Sequence, residues 1–115
     1  MKIINSEYQD CIDFLSDCAQ ICFECFNESL NAHDISERST LIKSLVECGK
    51  HAQLTILFLA TNSPHSKEMA LLSAHLARVT SDLCDNFKDN HTKITGQVCL
   101  ETHKMIIDTF DKRED

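Results

Sequence analysis

A chain of 115 residues can bury one ordinary core and is too short for two, and its two glycines and one proline leave too few reversals for an all-β fold. A net charge of −7 with acidic residues spread along the chain excludes the basic face that nucleic acid requires, and no run of about 18 apolar residues offers a membrane span. The opening residues MKIINSEYQD lack the apolar stretch of a secretory signal, so the expectation is one domain over residues 1–115 working in a reducing cytoplasm. Seven cysteines fit that compartment poorly as disulfides, because an odd number cannot all pair within one chain.

The first helix is expected from a capping box, Ser6 with Gln9 three residues later, to about Leu30. It carries CIDFLSDCAQICFEC, with four cysteines in fifteen residues. At about 100° per residue, Cys11, Cys18, Cys22 and Cys25 fall near 0°, 340°, 20° and 320°, flanked by Phe14 and Leu15 at about 300° and 40°. The sulfurs therefore share one stripe facing the interior.

The polar segment NAHDISERS separates this helix from a second one, whose inward residues are Leu41, Leu45, Cys48, Ala52 and Leu59. Asn62-Ser63-Pro64 ends the second helix and opens the third, with Ser63 as cap and Pro64 at the first helical position. The third is expected from Pro64 to about Phe87 with Met69, Ser73, Leu76, Thr80, Leu83 and Phe87 buried. After the turn KDNH, the fourth runs from near Asn90 to about Asp111 with Val98, Cys99, Met105, Ile106 and Phe110 as its apolar residues.

Four long helices joined by short loops fold most simply as an all-α, antiparallel up-down-up-down bundle. Counting equal distances from the loop centres puts Cys22 level with Cys48, Thr80 and Cys99, and Cys25 level with Cys84. His51 and His103 follow Cys48 and Cys99 at contact spacing and read as flank residues. His33, His65, His75 and His91 read as loop, cap or solvent residues.

Three readings suit the sulfur stripe. Free cysteine packs as a small hydrophobe, yet larger aliphatic side chains would bury more area, so a thiol seam gives up stability. Cys22-Phe-Glu-Cys25 has the form of a redox motif, but it lies far from the helix N-terminus that would activate it. Thiolates one turn apart can also share a soft metal ion. A di-iron bundle is excluded because no Glu-x-x-His occurs, and zinc fingers hold their ligands on turns rather than within helices. No positioned base or phosphate loop marks an enzyme.

In Cys11, Cys18-Ala-Gln-Ile-Cys22-Phe-Glu-Cys25, Glu47-Cys48, Ala60-Thr-Asn-Ser63-Pro64, Cys84 and Cys99, the chain resembles the cysteine-rich four-helix-bundle copper-storage family. The resemblance implies a bundle lined by thiolates that bind several Cu(I) ions, in oligomers, for storage or buffering. It differs in having Ala52, Ser73, Ala77 and Thr80 where the family repeats cysteine, and His103 one turn after Cys99. The ligands expected from the stripe and the resemblance together are Cys11, Cys18, Cys22, Cys25, Cys48, Cys84 and Cys99, with His103 at the rim. Cu(I) is the expected ion, Zn(II) the lesser candidate, and a homo-oligomer the expected assembly. A structural or interaction bundle that has lost most metal binding is the alternative.

Overall fold

The computed structural model describes residues 7–111. Its helices are α1 (Gln9–Leu30), α2 (Ser39–Ala60), α3 (Ser66–Cys84) and α4 (Asn90–Phe110), with a 3-10 turn Ile35–Arg38 between α1 and α2 and no strand among the described residues. Each helix packs its backbone on two neighbours in the ring α1–α2–α3–α4, and the diagonal pairs meet only through side chains. Contacts between α1 and α4 pair Cys11 with Thr109, Cys18 with Cys99 and Cys25 with Thr92, so one helix descends as the other climbs. Ser44 with Thr80 and Thr55 with Ser73 show the same reversal for α2 and α3. The expected antiparallel four-helix bundle is therefore the fold.

Local chemistry sets the helix ends. Ser6 lies outside the described residues, and the Gln9 amide donates to Asp13 Oδ1 at 2.8 Å rather than reaching back as a cap. At the end of α2, Asn62 adopts φ 59°, a left-handed conformation that asparagine tolerates. The Ser63 N–H then reaches the Phe58 carbonyl and the Asn62 N–H the Leu59 carbonyl, a Schellman ending. The third helix consequently begins at Ser66, two residues later than Pro64. Ser63 Oγ still accepts the His65 N–H at 3.0 Å. The far end of α3 is also shorter than expected, because bonds from Asn86 to Leu83 and from Phe87 to Cys84 tighten the chain into a turn after Cys84. Asp89 caps α4, its Oδ2 accepting the Thr92 N–H at 3.1 Å.

The interior of α3 is smaller than expected. Its buried residues are Ser66, Ala70, Ser73, Ala74, Ala77, Thr80, Ser81 and Cys84, while Met69, Leu76, Leu83 and Phe87 are half-buried along the flanks. On α4, Val98, Met105 and Phe110 are likewise half-buried, and Thr92, Thr95, Gly96 and Thr102 join Cys99 and Ile106 inside. Small residues bring these helices close: a Cβ on Gly96 would lie 3.0 Å from Cys84 Cβ, and Ser81 Oγ donates to the Gly96 carbonyl at 2.8 Å. Gly49 does the same for α1 and α2, since a Cβ there would stand 2.5 Å from the Phe23 ring. The core divides along the bundle into one cluster holding six cysteines and another built on Leu15, Leu59 and Ile106 around Cys11.

Candidate metal centre

The fold brings four thiols from three helices to one point. Cys18 and Cys22, a turn apart on α1, meet Cys48 of α2 and Cys99 of α4, with all four sulfurs within 4.8 Å of one another. Cys18 Sγ lies 3.8 Å from both Cys48 Sγ and Cys99 Sγ, and Cys22 Sγ lies 3.7 Å from Cys99 Sγ. Sulfurs bound to one ion at about 2.3 Å, at angles between tetrahedral and trigonal, are themselves about 3.8 to 4.0 Å apart. The third helix supplies no sulfur here: Thr80 Oγ1 is held by Ser44 Oγ at 2.7 Å and by the Leu76 carbonyl at 2.8 Å.

None of the four residues is more than 2% exposed, and all seven cysteines are unpaired. Crowding shifts Cys22, Cys48 and Cys99 in different directions. Hydrogen bonds from Cys18, Cys22 and Cys99 pull the Cys48 thiol down. Hydrogen bonding with Cys18 and Cys48 pushes Cys22 up. Cys99 is raised by its bonds with Cys18, Cys22 and Cys48. Two negative charges at this separation are opposed in a dry core. A soft cation would displace the thiol protons.

The other expected residues are placed differently. Cys25, also fully buried, has its sulfur 4.0 Å from Thr92 Oγ1. Burial, and then the neighbouring Cys25, push the Cys84 thiol up to about 12. Both belong to the same core cluster as the four thiols and extend the sulfur column toward the 3-10 turn. Cys11 sits in the other cluster, donating to Thr109 Oγ1 at 3.3 Å, and burial raises its thiol. His103 is half-buried and stands apart from the four sulfurs; its Nδ1 must be the protonated nitrogen, because it donates to the Ala74 carbonyl at 2.9 Å.

Ser73 and Thr80 are buried as expected, while the partners of Ser73 and the role of Arg38 go beyond the sequence reading. Buried hydroxyls continue the lattice where sulfur stops: Thr55 Oγ1 and Ser73 Oγ are 2.8 Å apart, and His51 Nδ1 reaches Ser73 Oγ at 2.7 Å. The same spacing that aligned the cysteines places Ser73 and Thr80 on that lattice. Arg38 comes from the polar segment expected to be a plain loop, yet it is 6% exposed and bonded to Ser29, Asp34, Asp89 and Thr92.

A family model described as copper storage protein matches residues 4–106. The chain belongs to the copper storage protein family. Among solved structures it is similar to the Cu(I)-bound copper storage protein BsCsp3, with a TM-score of 0.87 and 22% identity over 90% of this chain and 98% of that one. It is also similar to apo copper storage protein 3 from Bacillus subtilis, with a TM-score of 0.83 and 22% identity over 89% and 97% of the two chains. No curated protein sequence matches it. At this identity the structural likeness speaks for the fold, and the family model for the membership. In this copper storage family member, no described helix is long and apolar enough to cross a membrane.

Proposed function

We propose that the protein stores or buffers Cu(I) in its thiol column. Cys18, Cys22, Cys48 and Cys99 form the principal site, and Cys25 and Cys84 provide the next donors toward the 3-10 turn. The observation that carries this reading is the convergence of four unpaired, solvent-excluded sulfurs from three helices within 4.8 Å.

Charge favours Cu(I) over Zn(II). The site lies in helix interiors, where backbone N–H groups are already used and cannot neutralise extra thiolate charge. One Zn(II) held by four thiolates would leave two negative charges in a core that opposes them, whereas each Cu(I) cancels one thiolate. Fewer sulfurs than a column running the whole bundle means a smaller load, which suits buffering of a few ions.

The family's storage role favours binding without catalysis. The unpaired state of all seven thiols favours a reducing, cytoplasmic setting. The net charge of −7 argues against nucleic acid as a partner. Exposed Leu54 and Leu57 on α2 and Leu72 on α3 support self-association, which sedimentation would read.

Anaerobic titration of the reduced protein with Cu(I) in competition with a chromogenic chelator tests the reading. At least one ion per chain should be withheld from the chelator. Less than one would reject storage and leave a bundle whose cysteines only pack.

A further inference from the structure

We propose that Arg38 is a latch that closes the thiol column at the end nearest the 3-10 turn, and that its release is the step through which Cu(I) enters and leaves. The proposal rests on the Cu(I) reading above and concerns the route and rate of exchange rather than the site.

Arg38 stands at the last residue of the 3-10 turn Ile35–Arg38 and reaches across the bundle end. Its Nε donates to Asp34 Oδ1 at 2.8 Å and one Nη to Asp89 Oδ1 at 2.7 Å. The other Nη donates to Ser29 Oγ at 3.2 Å and Thr92 Oγ1 at 3.1 Å. The guanidinium lies 4.6 Å from the centre of the Phe87 ring. A single side chain thus ties the C-terminal end of α1 and the residues after α3 to the start of α4.

Thr92 links this latch to the sulfurs. Its hydroxyl accepts from Arg38, donates to Asp89 Oδ2 at 2.7 Å, and lies 4.0 Å from Cys25 Sγ. One hydroxyl therefore separates the guanidinium from the outermost thiol of α1. From Cys25 the next turn of α1 is Cys22, a member of the principal site, so sulfur leads inward step by step.

The opposite end offers no such path. Cys18 and Cys11 are two turns apart, about 10 Å along the axis, with the fully buried Leu15 between them. Leu59, Ile106, Ala52, Ala70 and Ala74 fill the same cluster, and Tyr8 stacks on Phe110 beyond them at 5.2 Å. An ion moving that way would leave its sulfur ligands for hydrocarbon.

Swinging Arg38 outward would uncover the column and also unmask the carboxylates of Asp34 and Asp89, which attract a cation. Ion pairing thus serves as a closure that leaves the thiol ligands themselves intact.

The test compares the full-length protein with Arg38→Met, which keeps length over Phe87 while removing every hydrogen bond, and with the milder Asp34→Asn. Protein loaded with Cu(I) is mixed with bathocuproine disulfonate in a stopped-flow cell, and ions per chain are counted separately. Transfer should be at least about tenfold faster in Arg38→Met and about two- to threefold faster in Asp34→Asn, with the number of ions held unchanged. Apo protein is also treated with iodoacetamide and mapped by mass spectrometry: Cys25 should label faster in both variants and Cys11 at the wild-type rate. If folded Arg38→Met transfers copper at the wild-type rate, or if Cys25 is labelled no faster, the latch is overturned. Should Arg38→Met fail to fold, Asp34→Asn decides by the same two readouts. Wild-type protein that withholds no Cu(I) would instead refute the storage reading, and Cys25 labelling would still report whether Arg38 seals that end.

Discussion

The two halves of the bundle are built from the same four helices on the same lattice, yet they hold different chemistry. One half gathers Cys18, Cys22, Cys25, Cys48, Cys84 and Cys99; the other packs Leu15, Leu59 and Ile106 around a single thiol, Cys11. Helix geometry alone cannot produce that asymmetry, since every turn of the stripe would accept either residue type. The sulfur half also holds Leu41 and Leu45, but each cysteine there buries less apolar area than a leucine would, at about 25 cal/mol per Å². With Leu41 and Leu45 beside them, the cysteines of the sulfur half stay small and hold their donors close together.

The sharpest way to break the contrast is to remove sulfur from each half in turn. Cys18→Ser with Cys48→Ser should weaken the tightest Cu(I) binding by at least about a hundredfold, roughly 2.7 kcal/mol, in a chelator competition. Cys11→Ser should change it by less than about twofold. Equal losses from the two changes would mean that the column extends past Leu15.

Stability should respond in the reverse sense. Leu15→Ala is expected to cost about 3 kcal/mol, the cavity and transfer loss of a fully buried leucine, whereas Cys22→Ala in the other half should cost about 1 kcal/mol for its smaller side chain. Urea unfolding of apo protein followed by circular dichroism measures both, which suits a chain without tryptophan.

These comparisons also show what sequence could reveal. Loop counting placed Cys22 level with Cys48 and Cys99 because the helices are of similar length and their loops short. It assigned one cysteine of α1 to that level, but Cys18 is there too: one turn rises about 5.4 Å, so successive thiols can straddle a partner from the next helix. The buried threonines of α4, Thr92, Thr95 and Thr102, are less legible than Thr80 of α3, since their type suggests solvent. Thr95 and Thr102 instead donate to carbonyls four residues back, which satisfies the hydroxyl locally and lets its methyl face the core. Arg38 was illegible for a different reason: its partners Asp89 and Thr92 are 51 and 54 residues away in sequence, and no local pattern connects them.

Alkaline pH should distinguish the halves more gently. Cys84 ionises near 12 when folded against an ordinary value of 9.0. A raised folded value gives stability that is complete below about pH 9 and lost as pH climbs toward 12. Cys84→Ser should remove about 1 kcal/mol of the loss measured between pH 8 and pH 10 in apo protein, while the acid side stays as in wild type.

Acid should act at the Arg38 end of the sulfur half, and with the smallest effect. Burial alone would raise the Asp89 carboxyl, but hydrogen bonds from Thr92 and Arg38 hold it at about 2, below its ordinary 3.8. A lowered folded value gives stability that is present above about pH 4 and disappears as pH falls toward 2. Asp89 is 41% exposed, so solvent screens the pairing and the loss should stay below about 1 kcal/mol. Asp89→Asn should flatten this part of the pH profile, read as the change in urea midpoint between pH 5 and pH 2.5. Asp34, lowered chiefly by its Arg38 bond, provides the control: Asp34→Asn should flatten the same window and leave the alkaline loss untouched. A profile unchanged by both would place the acid sensitivity elsewhere, and the ion pairs that close this end would then contribute little to holding it shut.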